Sequence, residues 1–412
     1  MPSIRDLREA ARRRLPRMVF DFVDGGAQDE RTLAANARDF DRWTLAPRVL
    51  RDVAERACGT VVLGRPVPVP LVVAPTGLAG LVRRRGDVLL ARAAEAAGIP
   101  FCLSTNSVCS LEEVAREAGG DRWFQLYVMR DRGLTRDLLR RARDAGYRAL
   151  CLTVDLPVPG MRERDARNGF TIPPRPTFRN CLDLLLHARW GLDVMLGPRV
   201  TFGNLAAGNL AAGGRSDLMT LAQYVSTQFD PSVTWRDLEA IRAEWDGPLL
   251  VKGILRADDA ATAVGLGADA VAVSNHGGRQ LDGVASSVAA LPAVVEAVGG
   301  RAQVLLDGGV RRGTDVVKAL ALGATACMVG RPCLYGLAAA GEAGVGAALR
   351  ALRDEFDNAL ALVGCREASA LDRSYLVEGA PPQASPGQNP AAAAVAAPWE
   401  AAPWEKVSPK TT

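Results

Sequence analysis

PLLVKG (248–253), AVAVSN (270–275), QVLLDGG (303–309) and ACMVGRP (326–332) are the stretch whose reading decides the fold. Each is a short run rich in Val, Leu and Ala, without polar alternation, and each breaks off into Gly or a polar residue. Such runs suit strands buried on both faces of a parallel sheet. The same pattern stands upstream in PLVVAP (70–75), IPFCLST (99–105), RWFQLYV (122–128) and ALCLTVD (149–155), which makes eight. Amphipathic segments separate most of them, among them DVLLARAAEAAG (87–98), TRDLLRRARDAG (135–146) and TDVVKALALGA (314–324). Several end on Gly, a usual helix stop. Eight βα units predict an α/β fold, a (β/α)8 TIM barrel, with a doubly wound open sheet as the alternative.

Three segments fall outside this rhythm. Residues 1–65 read as an extension of helices plus a β-rich lid over the N-terminal end of a barrel spanning 66–378. Residues 156–247 are too long for a loop between strands four and five, so they hold an insertion, placed at about 172–216. The tail, 379–412, is Pro/Ala-rich, repeats AAPWE and cannot build a core, which predicts disorder. Its Trp399 and Trp404 could anchor a partner, with an unstructured linker as the safer reading.

Composition excludes several classes. The 412 residues are 48% apolar and 23% charged, as in a foldable globular chain. A net charge of +4 gives no support to a nucleic-acid binder. The N-terminus lacks a secretory signal's apolar core, and no apolar run is long enough to span a bilayer. Eight Cys (58, 102, 109, 151, 181, 327, 333, 365) show no CxxC pairing and read as reduced, buried residues of a cytoplasmic protein; no metal is called for.

In such a barrel, chemistry collects at the C-terminal strand ends. Ala74 and Thr76 follow strand one, and Ser104 ends strand two. Gln125 and Tyr127 lie on strand three, Thr153 and Asp155 end strand four, and Lys252 ends strand five. Strand six ends in Ser274-Asn275-His276-Gly277-Gly278-Arg279, strand seven in Asp307-Gly308-Gly309-Val310-Arg311, and strand eight in Gly330-Arg331. The last two loops supply backbone N–H groups and guanidiniums, the parts of a phosphate site, although DGG alone could be a turn. His276 beside Arg279 suits proton abstraction from a small acid, or else is a structural histidine. Lys252 could form a structural ion pair or a Schiff base.

The motifs SNHGGRQLDG (274–283), LLVKGIL (249–255), LDGGVRRGTDVVKALALGA (306–324) and VGRP (329–332) resemble those of the FMN-dependent L-2-hydroxy-acid dehydrogenases and oxidases. WFQLYV (123–128), LTVDLPVPGMRERD (152–165) and residues 15–53 agree, so the resemblance runs from about residue 3 to 378. It implies FMN as cofactor. His276 would take the proton, with Asp155 stabilising the imidazolium; Arg279 and Arg162 would hold the substrate carboxylate, and Tyr127 would contact its hydroxyl. Lys252 would lie beside the flavin N1–O2 edge. Ala74, Thr76, Ser104, Gln125, Thr153 and Ser274 would meet the flavin's ring and ribityl chain, and Asp307, Gly309, Arg311, Gly330 and Arg331 its ribityl and phosphate.

Phe22 stands where the family commonly has a Tyr whose hydroxyl helps bind the carboxylate. Its loss leaves Arg279 and Arg162 to suffice, and makes substrate identity the open point. Gly77 occupies a position where dehydrogenases tend to carry Gly and oxidases Ala. Residues 175–206 resemble the membrane-binding segment of quinone-linked lactate and mandelate dehydrogenases. That segment has many Leu, an interfacial Trp190 and His187 (read as interfacial and not catalytic), and locally Arg175, Arg179, Arg189, Arg199 and the flanking Arg215 outnumber Asp183 and Asp193. A lid packed on the barrel is the alternative.

The resemblance therefore implies oxidation of L-lactate to pyruvate, with quinone as electron acceptor. It further implies a homotetramer lying peripherally on the inner face of the cell membrane. An (S)-mandelate-type acid is the alternative substrate, and a soluble oxidase releasing hydrogen peroxide the alternative chemistry. Two rivals from other classes are a Schiff-base aldolase using Lys252 and a non-enzymatic membrane or partner-binding module.

Overall fold

The computed structural model describes residues 3–170, 177–196, 200–205 and 227–379. The Pro/Ala-rich tail from 380, with Trp399 and Trp404, lies outside them, as do Arg175, Arg199, Arg215 and much of the 172–216 insertion.

All eight apolar runs are strands of one closed barrel: Leu71–Val73, Phe101–Ser104, Arg122–Leu126, Ala149–Thr153, Leu249–Ile254, Ala270–Val273, Gln303–Asp307 and Ala326–Val329. Each pairs in parallel with its neighbours in sequence, and strand eight closes on strand one, Cys327 opposite Leu71. Alternate residues face two cores. Val72, Cys102, Trp123, Leu250, Leu305 and Met328 fill the interior together with Ala149, Ala270, Ala272 and Ala326. Their neighbours, such as Leu103, Phe124, Leu152 and Val273, face the surrounding helices. One bulky indole among four alanines fits a barrel too narrow for a large side chain on every strand.

The helices follow local rules. Arg132–Asp144 starts at Asp131, whose carboxylate accepts from Gly133 N and Leu134 N, and Leu111–Glu117 starts with a Ser110/Glu113 capping box. The C-terminal helical stretch Arg331–Val363 breaks at Ala340–Gly341. Strand Trp43–Leu45 pairs antiparallel with Leu376–Glu378, which ties the two ends of the described chain together.

The N-terminal extension divides between the two ends of the barrel. Of its described elements, the hairpin Thr60–Val62/Arg65–Val67 closes the N-terminal end, where Val62, Leu63 and Val67 join the inner core. Gln303 fixes it, accepting from Leu63 N at 2.8 Å and donating to Val61 O at 2.9 Å. The helices Arg17–Asp24 and Arg31–Arg38 pack at the opposite end, because carbonyls of residues 22–25 are acceptors for Arg279 and Arg331.

Part of the insertion is a pair of helices, Phe178–Leu186 and Ala188–Met195. Both of its aspartates face the body: Asp183 accepts from Arg17 N at 2.6 Å and Asp193 from Arg84 N at 3.0 Å. Trp190 is half-buried and donates from Nε1 to Leu81 O at 2.8 Å, and His187 Nδ1 lies 2.8 Å from Asp183 O. Trp190 thus spends its Nε1 on docking the segment, whereas His187 bonds within it, to Asp183. The outward face is aliphatic and aromatic, with Phe178, Leu185, Leu186 and Leu196 between 74% and 88% exposed. Among the described residues no helix is long and apolar enough to cross a membrane. One correction concerns the cysteines: all eight are free, but Cys181 is exposed and Cys58 half-buried, so burial does not describe them all.

Candidate active site

The C-terminal mouth of the barrel opens into a cavity of about 520 Å³. Ala74, Thr76, Ser104, Gln125, Tyr127 and Thr153 line it from strands one to four. Lys252, His276, Arg279, Asp307, Gly309, Arg311, Gly330 and Arg331 line it from strands five to eight, and Phe22 and Arg162 line it from outside the barrel. Two candidates stand behind the wall. Asp155 supports His276, and Ser274 supports Lys252.

At the floor, Lys252 is 4% exposed, with Nζ 2.8 Å from Asp307 Oδ2 and donating to Ser274 Oγ at 3.0 Å. Ser274 Oγ donates to Asp307 at 2.7 Å and accepts from His276 N at 3.0 Å, joining strands five, six and seven. Burial opposes the ammonium, but Asp307 and Asp155 outweigh it and hold Lys252 above its ordinary range. A fully charged amine is no nucleophile, which counts against the Schiff-base rival. Gly253 makes this placement possible. It carries φ 112 in a bulge on strand five, and a Cβ there would lie 2.7 Å from Asp155 Cβ.

His276 has a left-handed backbone, φ 58, and its Nδ1 lies 2.8 Å from Asp155 Oδ1. Burial would raise Asp155, but His276 and Lys252 overcome it and keep the carboxyl below its usual range. An ionised carboxylate only accepts, so Nδ1 donates to it, and in the neutral imidazole Nε2 then carries the lone pair. The imidazole is thus set up to receive a proton, beside a carboxylate that stabilises the resulting cation.

Three guanidiniums crowd one side. Arg279 stands 5.0 Å and Arg162 5.6 Å from the centre of the Phe22 ring. Burial, with Arg162 and Arg331 close by, pushes Arg279 well below its ordinary range. An anion between Arg279 and Arg162 relieves that repulsion and offers bidentate geometry. Arg331 differs from expectation in detail: it donates to Val23 O, Gly277 O and Gly25 O, which spends three of its five N–H groups on the main chain. Tyr127, packed edge-on to Phe229 at 5.6 Å, is pushed upward by burial and then by Asp155, so its hydroxyl stays protonated.

The residues present fit FMN. Gln125 Nε2 and Thr153 Oγ1, on residues lining the cavity, are buried without a partner among the described residues, and a flavin's ring heteroatoms would satisfy them. Lys252 supplies a cation at the same floor, and the strand-seven and strand-eight turns supply N–H groups and Arg311 for a phosphate.

Sequence reasoning missed Asp165, which lines the cavity 3.4 Å from Arg162 Nε, and the apolar wall of Phe170, Phe202 and Phe229. It also missed Asn36, buried against Asn275. Asp165 ends a motif in which its neighbours carry the signal, and the phenylalanines come from the long segment between strands four and five, which has no periodicity to place them.

Comparison with known proteins agrees with this geometry. Residues 11–378 match the FMN-dependent dehydrogenase family, and the chain belongs to it. It is 49% identical over 377 residues to an L-lactate dehydrogenase of Caulobacter sp. (strain K31), covering 91% of this chain and 98% of that one. An L-lactate dehydrogenase of Pseudomonas entomophila (strain L48) is 46% identical over 373 residues, covering 90% and 97%. The crystal structure of the monotopic membrane protein (S)-mandelate dehydrogenase superposes with a TM-score of 0.88 at 43% identity, covering 92% of this chain and 99% of the other. The protein is an FMN-dependent 2-hydroxy-acid dehydrogenase.

Proposed function

We propose that the protein oxidises L-lactate to pyruvate and passes the electrons to a membrane quinone. The observation that carries the chemistry is His276, held through Nδ1 on Asp155 with Nε2 free, beside the Arg162 and Arg279 pair. Bound FMN supplies the two-electron acceptor. Arg162 and Arg279 bind the substrate carboxylate, Tyr127 offers a hydrogen bond to the hydroxyl oxygen, and His276 Nε2 takes a proton from the substrate. Asp155 holds the imidazolium, Lys252 keeps positive charge at the cavity floor, and Phe22, Phe170 and Phe229 exclude water. Similarity to L-lactate dehydrogenases over nine-tenths of the chain supports lactate.

One observation favours a second substrate. Phe22 and Phe170 stack at 4.7 Å on the cavity wall, a surface suited to an aryl group as in (S)-mandelate. Likeness to a monotopic (S)-mandelate dehydrogenase and the exposed aliphatic face of residues 178–196 support peripheral attachment to a membrane, and the proposal takes the inner face of the cell membrane as its site. The family resemblance carries a homotetramer into the proposal, which light scattering on the purified protein tests.

The deciding experiment mixes flavin-loaded protein anaerobically with L-lactate, (S)-mandelate and glycolate, follows bleaching, then compares reoxidation by air and by a soluble quinone. Fastest bleaching by L-lactate and fast reoxidation by quinone alone are expected. Faster bleaching by (S)-mandelate moves the substrate, and rapid reoxidation by air overturns the quinone assignment.

A further inference from the structure

Asn36 lies on the helix Arg31–Arg38, outside the barrel, with its amide buried against that of Asn275. Asn36 Nδ2 donates to Asn275 Oδ1 at 2.8 Å, and Asn275 Nδ2 donates back to Asn36 Oδ1 at 2.8 Å. Asn275 Nδ2 also donates to Ala285 O at 3.0 Å, and its Oδ1 accepts from Gly278 N at 3.0 Å, so that side chain is fully used. Asn36 Oδ1 takes a second bond from Ser287 N at 3.1 Å.

The backbone enclosed by this pair is closed by one main-chain bond of its own, Gly278 N to Asn275 O at 3.0 Å, and is strained. His276, Gly277 and Gly278 have φ 58, 65 and 74, three successive left-handed residues, the first of them disfavoured by its Cβ. The Asn275 carboxamide spans that turn, and Asn36 anchors the carboxamide. Asn36 also abuts the turn after strand seven, where a Cβ on Gly309 would lie 1.9 Å from Asn36 O.

We propose that Asn36 is a positioning residue which, through Asn275, holds His276 in the left-handed conformation that sets its imidazole on Asp155 with Nε2 toward the substrate. It rests on the reading of His276 as the base. It acts on the rate of proton removal: its side chain touches neither Arg162 nor Arg279, and it meets Gly309 through its main-chain oxygen, which a side-chain substitution keeps.

The test uses the full-length, flavin-loaded protein and its variants Asn36→Ala, Asn275→Ala, the double variant and His276→Ala. Anaerobic single-turnover reduction is followed with the acid that bleaches the unmutated protein fastest. Asn36→Ala should lower the limiting rate ~10- to 100-fold, as a misplacement of about 1 Å does. Half-saturation and flavin occupancy should stay within ~2-fold, and the double variant within ~2-fold of the worse single one, because one shared contact is lost. The acid limb of the pH–rate profile should move, since it reports the base. Asn36→Ser carries the same reading if Asn36→Ala fails to load flavin.

A limiting rate within ~2-fold of the unmutated value overturns the proposal, as do losses that multiply in the double variant. So does an effect confined to half-saturation or to flavin occupancy in both the Ala and Ser variants. If His276→Ala reduces flavin at the unmutated rate, the base assignment falls and this inference with it. A slow His276→Ala beside an unimpaired Asn36→Ala overturns this inference alone.

Discussion

At position 22 the protein carries a ring with no hydroxyl to offer a substrate carboxylate. The Phe22 ring lies against two guanidiniums and the Phe170 ring, and has no hydroxyl to add to theirs. Phe22→Tyr should tighten substrate binding by about 1.5–3 kcal/mol, the worth of a hydrogen bond to a charged group. Half-saturation for flavin reduction would then fall at least ~10-fold with little change in limiting rate; unchanged half-saturation would show that the arginines suffice. Asp155→Asn should retain flavin but slow its reduction ~100-fold, because the imidazolium loses its counter-ion. His276, Arg279 and Lys252 were legible in the sequence because they sit in a dense motif or end an apolar strand. Asn36 was not, since an Asn in a helix of mixed residues gives no signal until the helix docks on the loop carrying His276.

Elements were legible in proportion to how fully they are buried. All eight strands were readable because they are apolar on both faces, whereas the side of the barrel each N-terminal helix takes depends on which carbonyls meet Arg279 and Arg331. Likewise, the leucines of 178–196 announced an apolar face, but nothing local said that Trp190 and Asp193 turn inward. The basal hairpin carries its own prediction. Leu63 and Gly64 turn with φ 47 and 78, placing Leu63 7% exposed in the barrel floor. Leu63→Ala should cost about 2–5 kcal/mol, read as a lowered thermal midpoint, with bleaching kinetics unchanged because the site is at the far end. A loss below about 1 kcal/mol would mean that the floor closes without it.

Across the whole molecule, Asp24 is the point where separate parts of the chain meet. It accepts from Arg8 Nε at 2.6 Å, Tyr335 Oη at 2.7 Å and Arg164 at 3.1 Å, tying the first helix, the C-terminal helix and the short helix Glu163–Arg167 after strand four. Burial works against its charge, but Arg8, then Tyr335 and Arg164, hold the carboxyl at about 2 against an ordinary 3.8. A lowered acid stabilises the fold in full above its unfolded value, and that stability is lost as pH falls from 3.8 toward 2. Asp21 and Asp87, raised by burial, have the opposite sign, Asp87 contributing less as pH rises from 3.8 to about 6. Asp24→Asn should therefore cost about 2 kcal/mol at neutral pH and flatten the acid limb of the melting curve; an unchanged limb would place acid sensitivity elsewhere. Removing residues 177–196, with the buried Phe202 and Asn204 left in place, should give a soluble, flavin-loaded enzyme, and unchanged recovery with membranes would refute the anchor. Above all of these stands the imidazole on which the chemistry turns. His276→Ala, purified with its flavin and mixed anaerobically with the best substrate, should stay yellow for at least ~100 times longer than the unmutated protein. Bleaching at the unmutated rate would contradict the account.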